Sequence, residues 1–435
     1  MAILTLAALL LVMLLLAFFR ATLWSWLLTA IVFIPVIAIQ HRVSADAFQA
    51  IIVMLALLVT VLGIPPLRRL LVSGPQLARF RRTLPIIPQS EAQDAGTIGW
   101  EVSLFSGRPN WRQLLRTPMP ALKAEHASRN SEIEQLRAML ESRRSGGAVE
   151  SSVLARAGAR LYATDAAERL AALLTETGAH PELISSIVAH LCADDLVNDA
   201  TYPERAARIF KLAALDAYPF VKQEIRAAHN AGEDQAVRDF DAALFGHISF
   251  ALSSAAHAFV FGITGGRGIY FHADMSTWRC YQRLTRYAAA VALLTEAVAP
   301  LALHDRARNH GDLFRRMGDA LSRMFLCSAA LRRFESDGRP QEDLPLLHWI
   351  VQDALYHIEM DIDGMLRNFP SRLFAMLLRV LVFPTGRHAE PPQDRLAKEI
   401  AMRLVQAEEM SDSGHEEDAH ITSLIPTFVN MTKEQ

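Results

Sequence analysis

Asp353, His357 and Asp361 recur every four residues in a stretch of helical period, a spacing that stacks two carboxylates and an imidazole on one face of a helix. Acids and imidazoles placed this way can hold a metal. Helical di-metal centres, however, draw Glu-x-x-His from each of two helices and one further Glu from each of two others. The partner motifs are missing here, so the stripe reads as a solvated face of His and acids. His247, His257, His272, His304, His310 and His348 are scattered through the same helical region without a ligand spacing of their own. Cys192, Cys280 and Cys327 lie far apart and form no Cys-x-x-Cys pair, which argues against a disulfide framework or zinc cluster and suits a reducing compartment. The glycine-rich GITGGRGIY, 262–270, with Glu296 downstream, looks like a cofactor loop followed by a base. Glu296 falls inside a helix, and the glycines read as a connector that relieves φ/ψ strain. With neither a Gly-x-Ser-x-Gly elbow nor a phosphate loop, the sequence nominates no nucleophile, and no catalytic, cofactor-binding or metal-binding residue is assigned.

What must position these groups is overwhelmingly helical. The chain has 435 residues, enough for two or three domains with a substantial core. Its net charge of -2 conceals an apolar first 66 positions followed by a chain in which Arg and acids are mixed, and without a strongly basic domain nucleic acid is not an expected partner.

Residues 2–19 carry no charge over 18 positions, close to the roughly 20 helical residues that cross a hydrocarbon layer. Apolar runs at 21–40 and 48–64 follow, separated by Arg20 and by the polar stretch His41 to Asp46, so two or three helices are expected to cross. Nothing basic precedes the first run, which argues against a cleaved secretory leader. After Pro65 and Pro66 come Arg68, Arg69, Arg79, Arg81 and Arg82, with no acid before Glu91. The positive-inside rule then places the bulk of the chain in the cytoplasm, and the same arginines can hold an anionic leaflet.

Residues 67–125 are rich in Pro and lack long periodic runs, which predicts an irregular linker; its segment Trp100 to Trp111 has the aromatic and turn residues of a strip packed on a surface. Beyond Ser131 nearly everything has helical period. Leu313, Met317, Leu321, Met324, Phe325 and Leu331 share one face of a helix stopped by Gly338 and Pro340. Further helices are predicted at about 151–177, 181–198, 204–229, 234–261, 275–302, 344–368 and 371–382, with Pro181, Pro203, Pro345, Pro370 and Pro384 at their boundaries. No series of alternating β-branched strands occurs. The expected fold is therefore all-α, with N-terminal transmembrane helices followed by a helical bundle.

Two tracts carry a resemblance. QDAGTIGWEVSLFSGRPNWRQLLRTP, 93–118, following the apolar anchor, resembles the lead-in of the large membrane-bound acyl-CoA dehydrogenases of bacterial fatty-acid β-oxidation. LFRRMGDALSRMFLCSAALRRFESDGRPQ and DLPLLHWIVQDALYHIEMDIDGMLRNFPSRLFAMLLRVLVFPTGRH, 313–341 and 343–388, resemble that family's C-terminal helical domain. Between them, 151–195 is similar to one helix pair of the dehydrogenase's own bundle, where the family places part of its subunit interface. The resemblance implies FAD, an acyl-CoA oxidised to the trans-2-enoyl-CoA, a glutamate base in a Glu-Gly turn and a β-barrel over the flavin. This chain departs from it. Residues 118–150 are too few for a barrel of several strands, each of about 5 residues plus turns. The interval 198–215 holds neither the Gly-Gly-x-Gly loop nor the Glu-Gly turn.

The division that follows is 1–66 a transmembrane anchor, 67–130 linker and lead-in, 131–230 residual dehydrogenase-like helices, 231–406 the C-terminal helical domain, and 407–435 a disordered tail. The expectation is a member of the FAD-dependent acyl-CoA dehydrogenase family without its own active site and without bound FAD; the alternative is a non-catalytic scaffold or partner of a full-length dehydrogenase. Its surroundings would be the bilayer of the bacterial inner membrane, with a homo-oligomer or a full-length dehydrogenase as protein partner and acyl-CoA as the family's substrate.

Overall fold

The computed structural model describes residues 2–83, 100–120, 127–176, 181–191, 201–216, 219–230, 232–269, 274–303 and 310–412. The fold is all-α, and no strand occurs among the described residues. Three apolar helices open the chain: α1 (Ala2–Phe18), α2 (Leu23–Gln40) and α3 (Ala45–Gly63). Arg20 takes a positive φ of 52° and Arg42 one of 50°, so two short turns suffice where the sequence offers almost no loop. The Gln40 side chain donates to the Thr5 hydroxyl at 2.8 Å, and the Trp24 ring lies against Gly63. The three therefore run up, down and up. Residues 2–19 enter as a helix of 17 residues; α2 and α3 are long and apolar enough to cross a membrane.

The linker is not irregular where it is described. Pro65 starts α4 (Pro65–Arg68), a single π-turn covers Arg69–Ser73, and α5 (Gly74–Thr83), α6 (Trp100–Phe105) and α7 (Trp111–Arg116) follow. Helices of 4 to 10 residues are too short to leave an apolar period in sequence. The strip from Trp100 does pack: Leu104, Phe105, Trp111 and Leu114 are buried, and the Trp111 indole donates to Thr285 at 2.9 Å.

The rest is a helical assembly with one continuous apolar core from Leu104 to Leu404. Its helices are α8 (Ala127–Arg144), α9 (Ser151–Glu176), α10 (Pro181–Leu191), α11 (Tyr202–Asp216), α12 (Pro219–His229), α13 (Glu233–Thr264), α14 (Met275–Leu303), α15 (Gly311–Ser336), α16 (Leu344–Arg367), α17 (Arg372–Val382) and α18 (Asp394–Asp412). The helix predicted over 204–229 is two, because Pro219 begins a new one: its ring has no N–H to give and clashes with the preceding turn. The helix predicted over 181–198 is described to Leu191, and Cys192 lies outside the described residues. The tail expected to be disordered from 407 is helical to Asp412, the remainder lying outside the described residues.

α15 is the centre, enclosed by α9, α11, α14 and α16. Met317, Leu321, Met324, Phe325 and Leu331 are buried as the period predicts, each large apolar side chain contributing about 1.5–3 kcal/mol. Gly318 permits the closest approach: a Cβ there would fall 1.8 Å from the Ala206 carbonyl of α11. α13 has enough length and apolarity to cross a membrane, but its first half carries Glu233, Asp234, Arg238, Asp239 and Asp241 and it packs on α12 and α14, so it belongs to the bundle.

Candidate functional site

The clearest built cleft opens between α9, α10, α11, α15 and α16, a cavity of about 300 Å³. Its lining mixes apolar Leu191, Leu326, Trp349 and Ile350 with Arg156, Arg160, Arg323, His190, Tyr202, Asp319, Asp353 and His357. The close passage of α11 over Gly318 sets the centre of it, because Tyr202 lies one turn before Ala206 and Asp319 follows Gly318. Tyr202 Oη donates to Asp319 Oδ1 at 2.7 Å, His190 Nε2 lies 3.1 Å from the same oxygen, and Arg315 Nη1 donates to Oδ2 at 3.0 Å. Burial pushes the Asp319 carboxyl upward, but hydrogen bonds from His190 and Tyr202 and the charge of Arg323 outweigh it and hold the group below the ordinary carboxylate range. Tyr202 moves the opposite way: burial first and then the Asp319 charge keep its hydroxyl protonated. His190 is 4% exposed and stacks on Tyr202, with ring centroids 4.6 Å apart, and its Nδ1 has no partner among the described residues.

The stripe of acids and histidine on α16 reaches this cleft through Asp353 and His357. Asp361 binds Arg323 at 2.5 Å, and His357 and Asp353 face each other at 3.7 Å. No group of three or more His, Cys, Asp or Glu able to hold a metal occurs among the described residues. Burial pushes the Asp361 carboxyl up to about 6 against the pull of Arg323, and burial lowers His357. These groups are ion-paired structure bordering a small cleft.

Glu296, downstream of the glycine loop, accepts from His247 Nε2 at 2.6 Å while Glu224 takes Nδ1 at 2.9 Å, so the imidazole is clamped between two helices and Glu296 is not a free base. The loop itself is a connector: Gly265 is the left-handed cap of α13 at φ 60°, and a Cβ on Gly266 would strike the Gln282 carbonyl at 2.3 Å. Cys280 and Cys327 are buried free thiols, and burial pushes the former up to about 11. His348 Nε2 donates to the Ser276 carbonyl at 3.2 Å, and His272 and His304 lie outside the described residues.

A second charged centre joins the apolar helices to the bundle. Asp241 of α13 is buried and receives Arg68 Nε at 2.9 Å, a second contact from Arg68 Nη2, and Ser73 Oγ at 2.6 Å, with Arg69 at 3.6 Å. Arg81 donates to the Ala228 carbonyl at 3.0 Å. Part of the arginine cluster after α3 is thus a dock. Sequence reasoning missed His190, Tyr202, Asp319 and Asp241; the available signal was a lone acid inside the apolar period of α15 and another inside α13.

Residues 215–417 match the family model described as acyl-CoA dehydrogenase, C-terminal, bacterial type. Both tracts 313–341 and 343–388 fall inside the match, whereas 93–118 and 151–195 fall outside it. No solved structure matches the chain. The acyl-CoA dehydrogenase family uses FAD. The cleft does not fit that group: about 300 Å³ is the lower limit of small-ligand sites, two ring systems joined by a pyrophosphate exceed it, and its acid Asp319 is already held by Arg315 while Asp353 faces His357.

Proposed function

We propose that this chain is a membrane-docked helical protein of the acyl-CoA dehydrogenase family of fatty-acid β-oxidation that lacks an active site of its own and serves as a scaffold or partner for a full-length dehydrogenase. The observation that carries the reading is the joint at Asp241, which ties the stretch following three apolar helices directly to the region matching the family's C-terminal domain. Dehydrogenation of an acyl-CoA needs a carboxylate beside the thioester, a flavin to take the hydride and donors for the developing enolate. The described residues supply a helical bundle whose cleft acid Asp319 is already engaged by Arg315, Tyr202 and His190, which favours the non-catalytic role.

In this reading α1, α2 and α3 cross the bacterial inner membrane. Arg20, Arg68 and Arg69 lie at the bundle's end of the three helices, while His41 and Arg42 turn at the far end. That bias puts the bundle in the cytoplasm. The visible spectrum of the detergent-solubilised protein tests the catalytic half of the proposal. Colourless protein that gains no thermal stability from FAD and does not turn over a long-chain acyl-CoA is expected. A stoichiometric flavin band bleached by acyl-CoA overturns it.

A further inference from the structure

α17 turns its apolar side chains outward. Leu373, Phe374, Met376, Leu377 and Val380 are all exposed, Leu373 to 81% and Leu377 to 53%, while Leu378 and Val382 face the bundle. At 3.6 residues per turn the five fall within an arc of about 160°. An isolated exposed Leu is ordinary, but five large apolar groups on one short helix form a surface that must be covered.

Two observations identify the cover. The first is position. The end of α17 meets the bundle at Gly262 of α13, whose carbonyl accepts from Thr385 Oγ1 at 3.4 Å. One turn away on α13, His257 stacks on Phe18, the last residue of α1, with centroids 4.0 Å apart, and Phe261 packs edge-on against the same ring. α17 therefore joins the bundle in the same turns of α13 where α1 leaves it. Ile248, Leu252 and Ile263 of α13 are exposed as well. The second is charge. Asp363 is buried and faces Arg367 at 2.8 Å, Arg379 at 2.5 Å and Arg387 at 3.4 Å, three cations around one carboxylate. Exposed Arg372 adds another. An apolar face bordered by excess Arg is the pattern of a helix lying in the interface of an anionic leaflet.

We propose that α17 lies in the plane of the membrane beside α1, its apolar face among the acyl chains and its arginines at anionic headgroups. The inference rests on the reading of α1–α3 as membrane-crossing. It gives the bundle a contact of its own with the bilayer, so that the cleft-bearing part is held against the membrane at a fixed tilt.

The test uses the full chain in vesicles of phosphatidylcholine and phosphatidylglycerol, with Cys192→Ser as background and an environment-sensitive fluorophore on one added cysteine: Leu377→Cys on α17, Val53→Cys on α3, or Arg395→Cys on α18. Quenching by lipids carrying doxyl groups in their chains at positions 53 and 377, several-fold above that at 395, is expected. Quenching at 53 with position 377 as open to aqueous iodide as 395 overturns the α17 inference and leaves the anchor standing. Protection of 377 from both quenchers assigns the face to a protein partner and overturns it as well. Absence of lipid quenching at 53 removes the anchor reading, and the α17 inference falls with it.

Discussion

α15 and α17 both lie within the region matched to the dehydrogenase C-terminal domain, and they handle their surroundings in opposite ways. α15 is enclosed so completely that Asp319, Arg332 and Arg333 are buried along with its apolar face, and each of those charges is met: Asp319 by Tyr202 and Arg315, Arg332 by the Thr117 carbonyl at 2.6 Å, Arg333 by Asp165 at 3.0 Å and the Tyr162 carbonyl at 3.1 Å. α17 leaves five large apolar groups outside. A protein surrounded only by water would distribute these the other way, with charges out and apolar groups in. The contrast is between an interior in which these charges are met by partners and a flank that leaves five large apolar groups exposed.

The largest effect should come from unpairing the interior. Arg333→Leu strands the Asp165 carboxylate, with Arg169 at 3.3 Å as its remaining cation, and should cost about 3–5 kcal/mol of stability in denaturant titration of the solubilised protein. The double variant with Asp165→Leu should regain most of that loss; an additive double variant would mean that the pair is incidental.

Next is the joint between anchor and bundle. Asp241→Ala should cost about 1.5–3 kcal/mol, the range for hydrogen bonds to a charged group. Protease sensitivity should rise in 64–83 while the cleft is undisturbed. Burial raises the Asp241 carboxyl, but Arg68 and Ser73 hold it below the ordinary carboxylate range. Its contribution is therefore present above the unfolded pKa near 4 and is lost as pH falls through the lower folded value. Loosening of the joint on alkalinisation instead would contradict that sign.

The smallest expected change sharpens the rule that interior charges are paired by way of an exception. Asp343, at the start of α16, is buried with neither carboxyl oxygen partnered among the described residues, and burial pushes it up to about 7. A raised pKa means that its stability contribution is complete below the unfolded value near 4 and is lost as pH rises through 7. Asp343→Asn should accordingly raise stability at pH 8 and change little at pH 4. Equal effects at both pH values would show that the carboxyl never ionises in the fold.

The features legible in sequence are those whose signal is local. The uncharged runs, the proline boundaries and the apolar face of α15 predicted the all-α fold, and the tracts inside 313–388 predicted the domain that the family match supports. Local period also misled: it ran through Tyr218 and Pro219 and merged α11 with α12, and it had nothing to register in α5, α6 and α7. The cleft was illegible because His190, Tyr202 and Asp319 are brought together by a helix crossing at Gly318, a contact between residues more than 100 positions apart. The arginines after α3 were readable as charge, yet their partner Asp241 lies 173 positions further on. The outward face of α17 shows in sequence as amphipathicity, but which half is buried is decided by Gly262 and Pro384 of the tertiary fold.

The claim that this protein has a bilayer side is tested most directly by labelling Arg42→Cys, in the turn between α2 and α3, with a membrane-impermeant maleimide on intact cells. The account predicts that Arg42→Cys reacts from outside, whereas Gly74→Cys, beyond α3, reacts only after the membrane is permeabilised. Reaction of both positions from the same side, or release of the protein by alkaline carbonate, would contradict it.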